Sequence, residues 1–135
     1  MKTKPIRLLL LDDNREFTQL LGLLLGKDGE FIVTEANNAR EALRLLEDHS
    51  FDLMIAEILT LDMPLEALLG IVSERYPDLP FGILTRMAVP PQWKLGEVIK
   101  DTPVATKPVT METVRKFITL VLTKTPRGPE DDFSP

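Results

Sequence analysis

At 135 residues the chain is long enough to bury one core without disulfide or metal staples, and its 44% hydrophobic and 27% charged residues suit a folded domain and exclude a disordered one. The absence of Cys excludes disulfide frameworks, thiolate metal sites and thiol chemistry, and a net charge of -5 with no cluster of Lys and Arg argues against nucleic acid as a direct partner. The longest apolar runs, at 8–11 and 20–26, are too short for a bilayer span, and the basic, apolar N-terminus runs into two aspartates instead of a small-residue cleavage site, so a cytoplasmic protein is the simplest expectation.

Short continuous apolar runs alternate with helical patterns along the chain. Ile6 to Leu11, bounded by Pro5 and Asp12, predicts a buried strand. Phe17, Leu20, Leu21, Leu24 and Leu25 then recur at helical spacing, with Asp13 or Asn14 as N-cap and Gly29 near the end. Phe31 to Glu35 is a second strand. Asn38, with Glu41 three positions on, caps a second helix that carries Ala42, Leu43 and Leu46; His49 falls at its polar end, where a solvated surface residue is expected. Leu53 to Ala56 is the third strand, and Leu65, Leu68, Leu69, Val72 and Tyr76 trace a third helix. Pro77 and Pro80 mark a turn before the strand Phe81 to Leu84. Pro90 and Pro91 suit the start of a fourth helix with Trp93, Val98 and Ile99 facing inward, ended by Thr102 and Pro103. Val104 and Ala105 make a short fifth strand, and Val114, Phe117, Ile118, Val121 and Leu122 give the cleanest apolar stripe of all, a fifth helix.

Five strand and helix pairs predict an α/β fold: a doubly wound, five-stranded parallel sheet covered on both faces and joined by right-handed crossovers. Residues 1–125 form this domain, and residues 126–135, rich in Pro and acidic side chains without periodicity, are expected to be a flexible tail. In such sheets ligands bind beyond the carboxyl ends of the strands. Asp12 and Asp13 follow the first strand, Glu57 the third, Thr85 the fourth, and Lys107 with Pro108 the fifth. Three carboxylates on one edge repel unless a cation offsets them, either the Lys107 ammonium or Mg²⁺, which prefers hard oxygen ligands. Taken singly, Asp13 is a helix cap, Thr85 a strand terminator and Lys107 a solvated charge; their occurrence at successive strand ends is what points to a site.

The runs LLLLDDN, FDLMIAE, GILT and VATKP, in this order and with these separations, resemble the receiver domains of two-component response regulators over residues 6 to about 124. The resemblance implies the flavodoxin-like receiver fold. It also implies Mg²⁺ held by the acidic pair Asp12 and Asp13, a phospho-acceptor aspartate at position 57 that takes phosphate from a histidine kinase, and phosphoryl contacts from Thr85 and Lys107. The acceptor position is occupied by Glu57. One extra methylene displaces the carboxylate by roughly 1.5 Å, and in-line transfer loses on the order of 100-fold per ångström of misplacement. Glu57 either reaches Lys107 and partly imitates a phosphoryl group or marks a site no longer used, and it either supplies an oxygen to Mg²⁺ beside Asp13 or pairs with Lys107 and leaves no metal site.

Other positions depart from the family as well. Leu61 and Leu65 replace the usual Pro and Gly beyond the acceptor. Arg86 stands where a small residue normally follows the Ser or Thr, and is either a surface charge, a cover for the pocket or a partner of Glu57. Val104 replaces the switch aromatic. These departures favour a phosphorylation-independent receiver-like signalling domain that is not an enzyme and acts on a protein partner: a histidine kinase, another regulator or an output protein. The alternative is a phospho-accepting single-domain regulator that uses Mg²⁺ and a non-standard acceptor, Glu57 or Asp62. A Mg²⁺-dependent phosphohydrolase lacks the required nucleophilic Asp followed closely by an acid. If the chain is the whole protein, output must pass through surface contact, and the resemblance places the docking face at the fourth helix, fifth strand and fifth helix, with Trp93, Lys94, Glu97 and Val104 on it and a homodimer through the same helices as a further expectation.

Overall fold

The computed structural model describes residues 4–58, 62–86 and 102–123. Five strands, β1 (Ile6–Leu11), β2 (Phe31–Ala36), β3 (Leu53–Ala56), β4 (Phe81–Thr85) and β5 (Val104–Thr106), form one parallel sheet in the order β2-β1-β3-β4-β5. Four helices are described: α1 (Arg15–Gly26), α2 (Ala39–Asp48), α3 (Leu65–Arg75) and α4 (Met111–Thr123). This is the predicted doubly wound sheet. The helix expected from Pro90 and the tail at 126–135 lie outside the described residues.

Burial on both sides explains why the strands read as continuous apolar runs without alternation. Side chains alternate across the sheet, so Leu8, Leu10, Leu53 and Ile55 face a cluster with Leu21 and Leu25 of α1 and Val114, Phe117, Ile118 and Val121 of α4. Leu9, Leu11, Met54 and Ala56 point the other way, against Ala39, Ala42 and Leu46 of α2 and Leu68 and Val72 of α3. Only part of the apolar spacing of α1 packs on the sheet: Leu20 is 58% exposed and Leu24 38%, and Leu23 is 74% exposed. Two positions per two turns, Leu21 and Leu25, suffice to cover this part of the sheet, so the apolar stripe is wider than the face that packs.

Local chemistry sets the helix starts. Asn14, rather than Asp13, caps α1 by accepting from the Phe17 N–H at 3.0 Å, which leaves Asp13 for the strand-end edge. Asn38 caps α2 through the Glu41 N–H at 2.8 Å, and the Glu41 carboxylate reaches back to the Asn37 N–H at 2.8 Å. Strand β4 runs one residue further than the apolar pattern suggested, because Thr85 pairs with Thr106 of β5.

Gly82 lies where α4 packs tightly on the sheet. A Cβ there would lie 2.6 Å from Cγ2 of Val121 and 3.1 Å from the Phe117 ring. Val121 is buried and β-branched, with one strongly preferred rotamer in a helix, so Gly82→Ala is expected to push α4 outward and cost about 1–3 kcal/mol. A lowered urea midpoint at unchanged m-value is the readout.

Candidate functional site

The sheet register brings the strand ends together. Leu11 pairs with Ala56, and the Glu57 N–H donates to the Leu11 carbonyl at 2.9 Å, so Asp12 and Glu57 leave the sheet side by side. Thr85 pairs with Thr106, and the Lys107 N–H donates to the Thr85 carbonyl at 2.7 Å, so Arg86 and Lys107 leave it as a second neighbouring couple. The Lys107–Pro108 peptide is cis. All four positions cluster at the carboxyl edge, beside the topological switch at which β1 is flanked by β2 and β3.

Two carboxylates are buried there, Glu57 at 0% and Asp12 at 2% exposure. Each has both oxygens hydrogen-bonded. Asp12 Oδ1 accepts from the Asn14 N–H at 2.9 Å and Oδ2 from Lys107 Nζ at 2.5 Å. Glu57 Oε2 turns back to the Ile58 N–H at 2.7 Å, while Oε1 accepts from the Arg86 N–H at 3.2 Å and lies 3.3 Å from Lys107 Nζ. The Lys107 ammonium therefore bridges both acids, and it also lies over the Phe17 ring, 4.1 Å from the centroid. Arg86 spans the outer rim, with Nη2 3.4 Å from Asp13 Oδ1 and Nε 3.8 Å from Glu57 Oε1. Among the described residues no buried side-chain N or O atom lacks a partner.

Burial pushes the Asp12 carboxyl above its ordinary value; Lys107 and the Asn14 N–H oppose this, and the neighbouring Glu57 charge adds to it. Among the described residues the pocket thus sets three acids against two cations, Lys107 within and Arg86 at the rim. Lys107 offsets the charge, one of the two outcomes foreseen, and of the three roles open to Arg86 the structure shows the partner of Glu57 and Asp13.

Mg²⁺, which the resemblance implies, requires near-octahedral oxygen ligands at about 2.0–2.1 Å and retains several waters. Both oxygens of Asp12 and both of Glu57 are already engaged, and Asp13 Oδ1 is paired with Arg86. Among the described residues no group of three or more His, Cys, Asp or Glu side chains is arranged to hold a metal ion. The donor set in this arrangement does not fit Mg²⁺.

Thr85 is buried at the end of β4, next to this cluster. Asp62, the alternative acceptor, is turned elsewhere: Oδ1 accepts from the Ala39 N–H and Oδ2 from the Arg40 N–H, both at 2.9 Å. It clamps the first turn of α2 from across the chain, satisfying donors that the helix cannot satisfy itself. Burial draws its carboxyl upward, but these N–H groups outweigh that and hold it below the usual range. A lowered value means that Asp62 stabilises the fold above the ordinary carboxylate range and loses that contribution as pH falls through its own value. Asp62→Ala is expected to cost about 1 kcal/mol at neutral pH, the size of a lost helix cap, with the gap to wild type closing in acid; urea melts at several pH values would show it.

Of the predicted docking residues, Trp93, Lys94 and Glu97 lie outside the described residues, and Val104 is exposed on β5. His49 is exposed at the end of α2. Two contributors were missed from the sequence. Phe17 had been read only as part of an apolar stripe, and no local signal marks it as a partner of Lys107. Asn37 donates from Nδ2 to the Asp12 carbonyl at 2.8 Å and so steadies the acidic turn; its place just past the second strand was the available signal.

No family model matches the chain. Among curated proteins it is 36% identical over 85 residues to the transcriptional regulatory protein GlrR of Escherichia coli, a match that takes in 63% of this chain and 19% of that protein. The chain thus spans about a fifth of the length of the curated relatives it matches. Among solved structures, the chemotaxis response regulator CheY4 of Vibrio cholerae superposes with a TM-score of 0.76 at 26% identity, covering 87% of this chain and 99% of that one. The response regulator TrrA of Thermotoga maritima, solved in complex with Mg²⁺ and BeF, superposes at 0.74 with 19% identity over 87% and 99% of the two chains. No helix among the described residues is long and apolar enough to cross a membrane. With the sheet order and the strand-end cluster, these comparisons show that the chain has the receiver (CheY-like) fold and is similar in sequence to two-component response regulators.

Proposed function

We propose that this domain is a phosphorylation-independent receiver, a module that signals by contact with a protein partner while its pocket is held permanently occupied by its own side chain. The observation that carries this reading is the posture of Glu57. Its carboxylate takes two backbone N–H groups, those of Ile58 and Arg86, together with the Lys107 ammonium. A nest of N–H groups beside a cation is the arrangement that would otherwise receive an oxyanion. Glu57 supplies one negative charge and two oxygens to it, against nearly two charges and three oxygens for a phosphoryl group, so the imitation is partial and fixed.

A phospho-accepting reading is less well supported. An acceptor oxygen must be free to attack in line, yet both Glu57 oxygens are hydrogen-bonded inside the pocket, and both Asp62 oxygens are spent on α2. The partner this reading implies is a protein of the same signalling machinery: a histidine kinase, another regulator or an output protein. Exposed Val104 on the edge strand β5 stands on the expected docking face.

Incubation with acetyl phosphate and MgCl₂, followed by intact mass, tests the proposal. Wild type is expected to remain unmodified; a gain of one phosphoryl group would overturn the reading.

A further inference from the structure

Among the described residues three acids share this edge with two basic side chains, and the position of the second base is informative. Lys107 is mostly buried, 16% exposed, and satisfies Asp12 and Glu57 from within. Arg86 lies at the mouth, half exposed, with its guanidinium between Asp13 and Glu57. Its backbone N–H is committed to Glu57 as well, so the side chain springs from the rim of the pocket and has a short path across it. A divalent ion that used Asp13 and Glu57 would have to lie where this guanidinium lies, and would meet the Lys107 ammonium on its inner side.

We propose that Arg86 is the domain's built-in counter-cation, standing in for a divalent metal between Asp13 and Glu57, so that the pocket keeps its conformation without Mg²⁺. This rests on the reading of Glu57 as a fixed occupant and adds the source of its outer charge compensation. A guanidinium suits the task because it is always protonated and its planar fork spans two carboxylates at once. Its contacts at 3.4 and 3.8 Å are loose and half solvated, so they add little to stability. What Arg86 supplies is a positive charge in the ion's place, and like charge at that distance opposes a dication strongly. The domain's state would then be uncoupled from both phosphorylation and metal supply.

The test is calorimetric titration of MgCl₂ into wild type, Arg86→Ala and Arg86→Gln, with melting curves of the same samples with MgCl₂ or EDTA. Both variants keep the Arg86 backbone N–H, and Arg86→Gln retains most of the side chain's length and loses only the charge. Wild type is expected to give no binding heat at low millimolar MgCl₂ and the same melting temperature in both conditions. The variants are expected to bind at least about tenfold more tightly, the effect of removing a unit charge about 4 Å from a dication, and to melt higher with MgCl₂ than with EDTA. Equal binding by wild type and variants would overturn the inference, and so would folded variants that stay silent, since Arg86 would then not be what keeps the metal out. A wild type that binds Mg²⁺ yet takes no phosphoryl group would sink this inference and leave the interaction-module reading intact. A wild type that becomes phosphorylated would sink that reading whatever the calorimetry shows.

Discussion

Lys107→Met is expected to destabilise the domain by about 3–5 kcal/mol at neutral pH, the cost of stranding buried charge by removing one partner. Asp12 and Glu57 are both almost wholly enclosed, and the Lys107 ammonium is the cation that touches both. Methionine fills much of the stem's volume and contacts Phe17, so the loss isolates the charge more than the packing. Arg86, which compensates Glu57 only from the outer rim, cannot replace Lys107, since its guanidinium is nearly 4 Å from Glu57 and half in solvent.

The pH dependence separates this from a packing defect. The Asp12 carboxyl is already raised by burial, so it contributes stability below the ordinary carboxylate range and loses that contribution as pH rises through its raised value. Lys107 limits the loss in wild type. Without it the Asp12 carboxyl rises further, the native state binds more protons than the unfolded chain, and the variant regains stability as pH falls. Urea denaturation from neutral pH to about pH 4.5 should therefore show the gap to wild type narrowing. A gap that stays constant across that range would mean that the two acids are compensated by something other than Lys107.

Glu57→Asp is expected to turn an inert pocket into one that takes a phosphoryl group from acetyl phosphate in the presence of MgCl₂, a rate gain on the order of 100-fold or more. Removing one methylene withdraws the carboxylate by roughly 1.5 Å from the nest it now fills. The Ile58 and Arg86 N–H groups and Lys107 Nζ are then released to bind the oxygens of an incoming phosphoryl group, charge stabilisation that needs no rearrangement during the reaction. Arg86 would keep only its loose contact with Asp13, so Mg²⁺ can displace it, and Glu57→Asp combined with Arg86→Ala should react faster than either single variant. Intact mass of the four proteins at matched times gives the answer. If even the double variant stays unmodified, the pocket has lost more than its acceptor, and decay describes Glu57 better than mimicry does.

The fold was legible because its signals are local and redundant. The runs around Leu8–Leu11 and Leu53–Ala56 are apolar on both faces, which only a sheet covered twice requires, and the stripe Val114, Phe117, Ile118 and Val121 has the period of a helix packed on one side. The extent of burial on α1 was not legible in the same way. Hydrophobic spacing shows which residues share a helix face but not how wide a strip of that face the sheet covers, and Leu20 and Leu24 of the spaced set are exposed.

The sequence by itself determined which groups collect at the carboxyl edge, Asp12, Asp13, Glu57, Thr85 and Lys107, because a parallel sheet sends every strand end the same way and each group directly follows or closes its strand. Only the tertiary structure decided who pairs with whom. Lys107 reaches Asp12 across 95 positions of chain, Arg86 bridges Asp13 and Glu57, and Asp62 spends both its oxygens on α2. Those choices depend on the register between strands distant in sequence and on side-chain rotamers. Distances between charges of a few ångströms govern the energy there, and no periodicity in the chain encodes them.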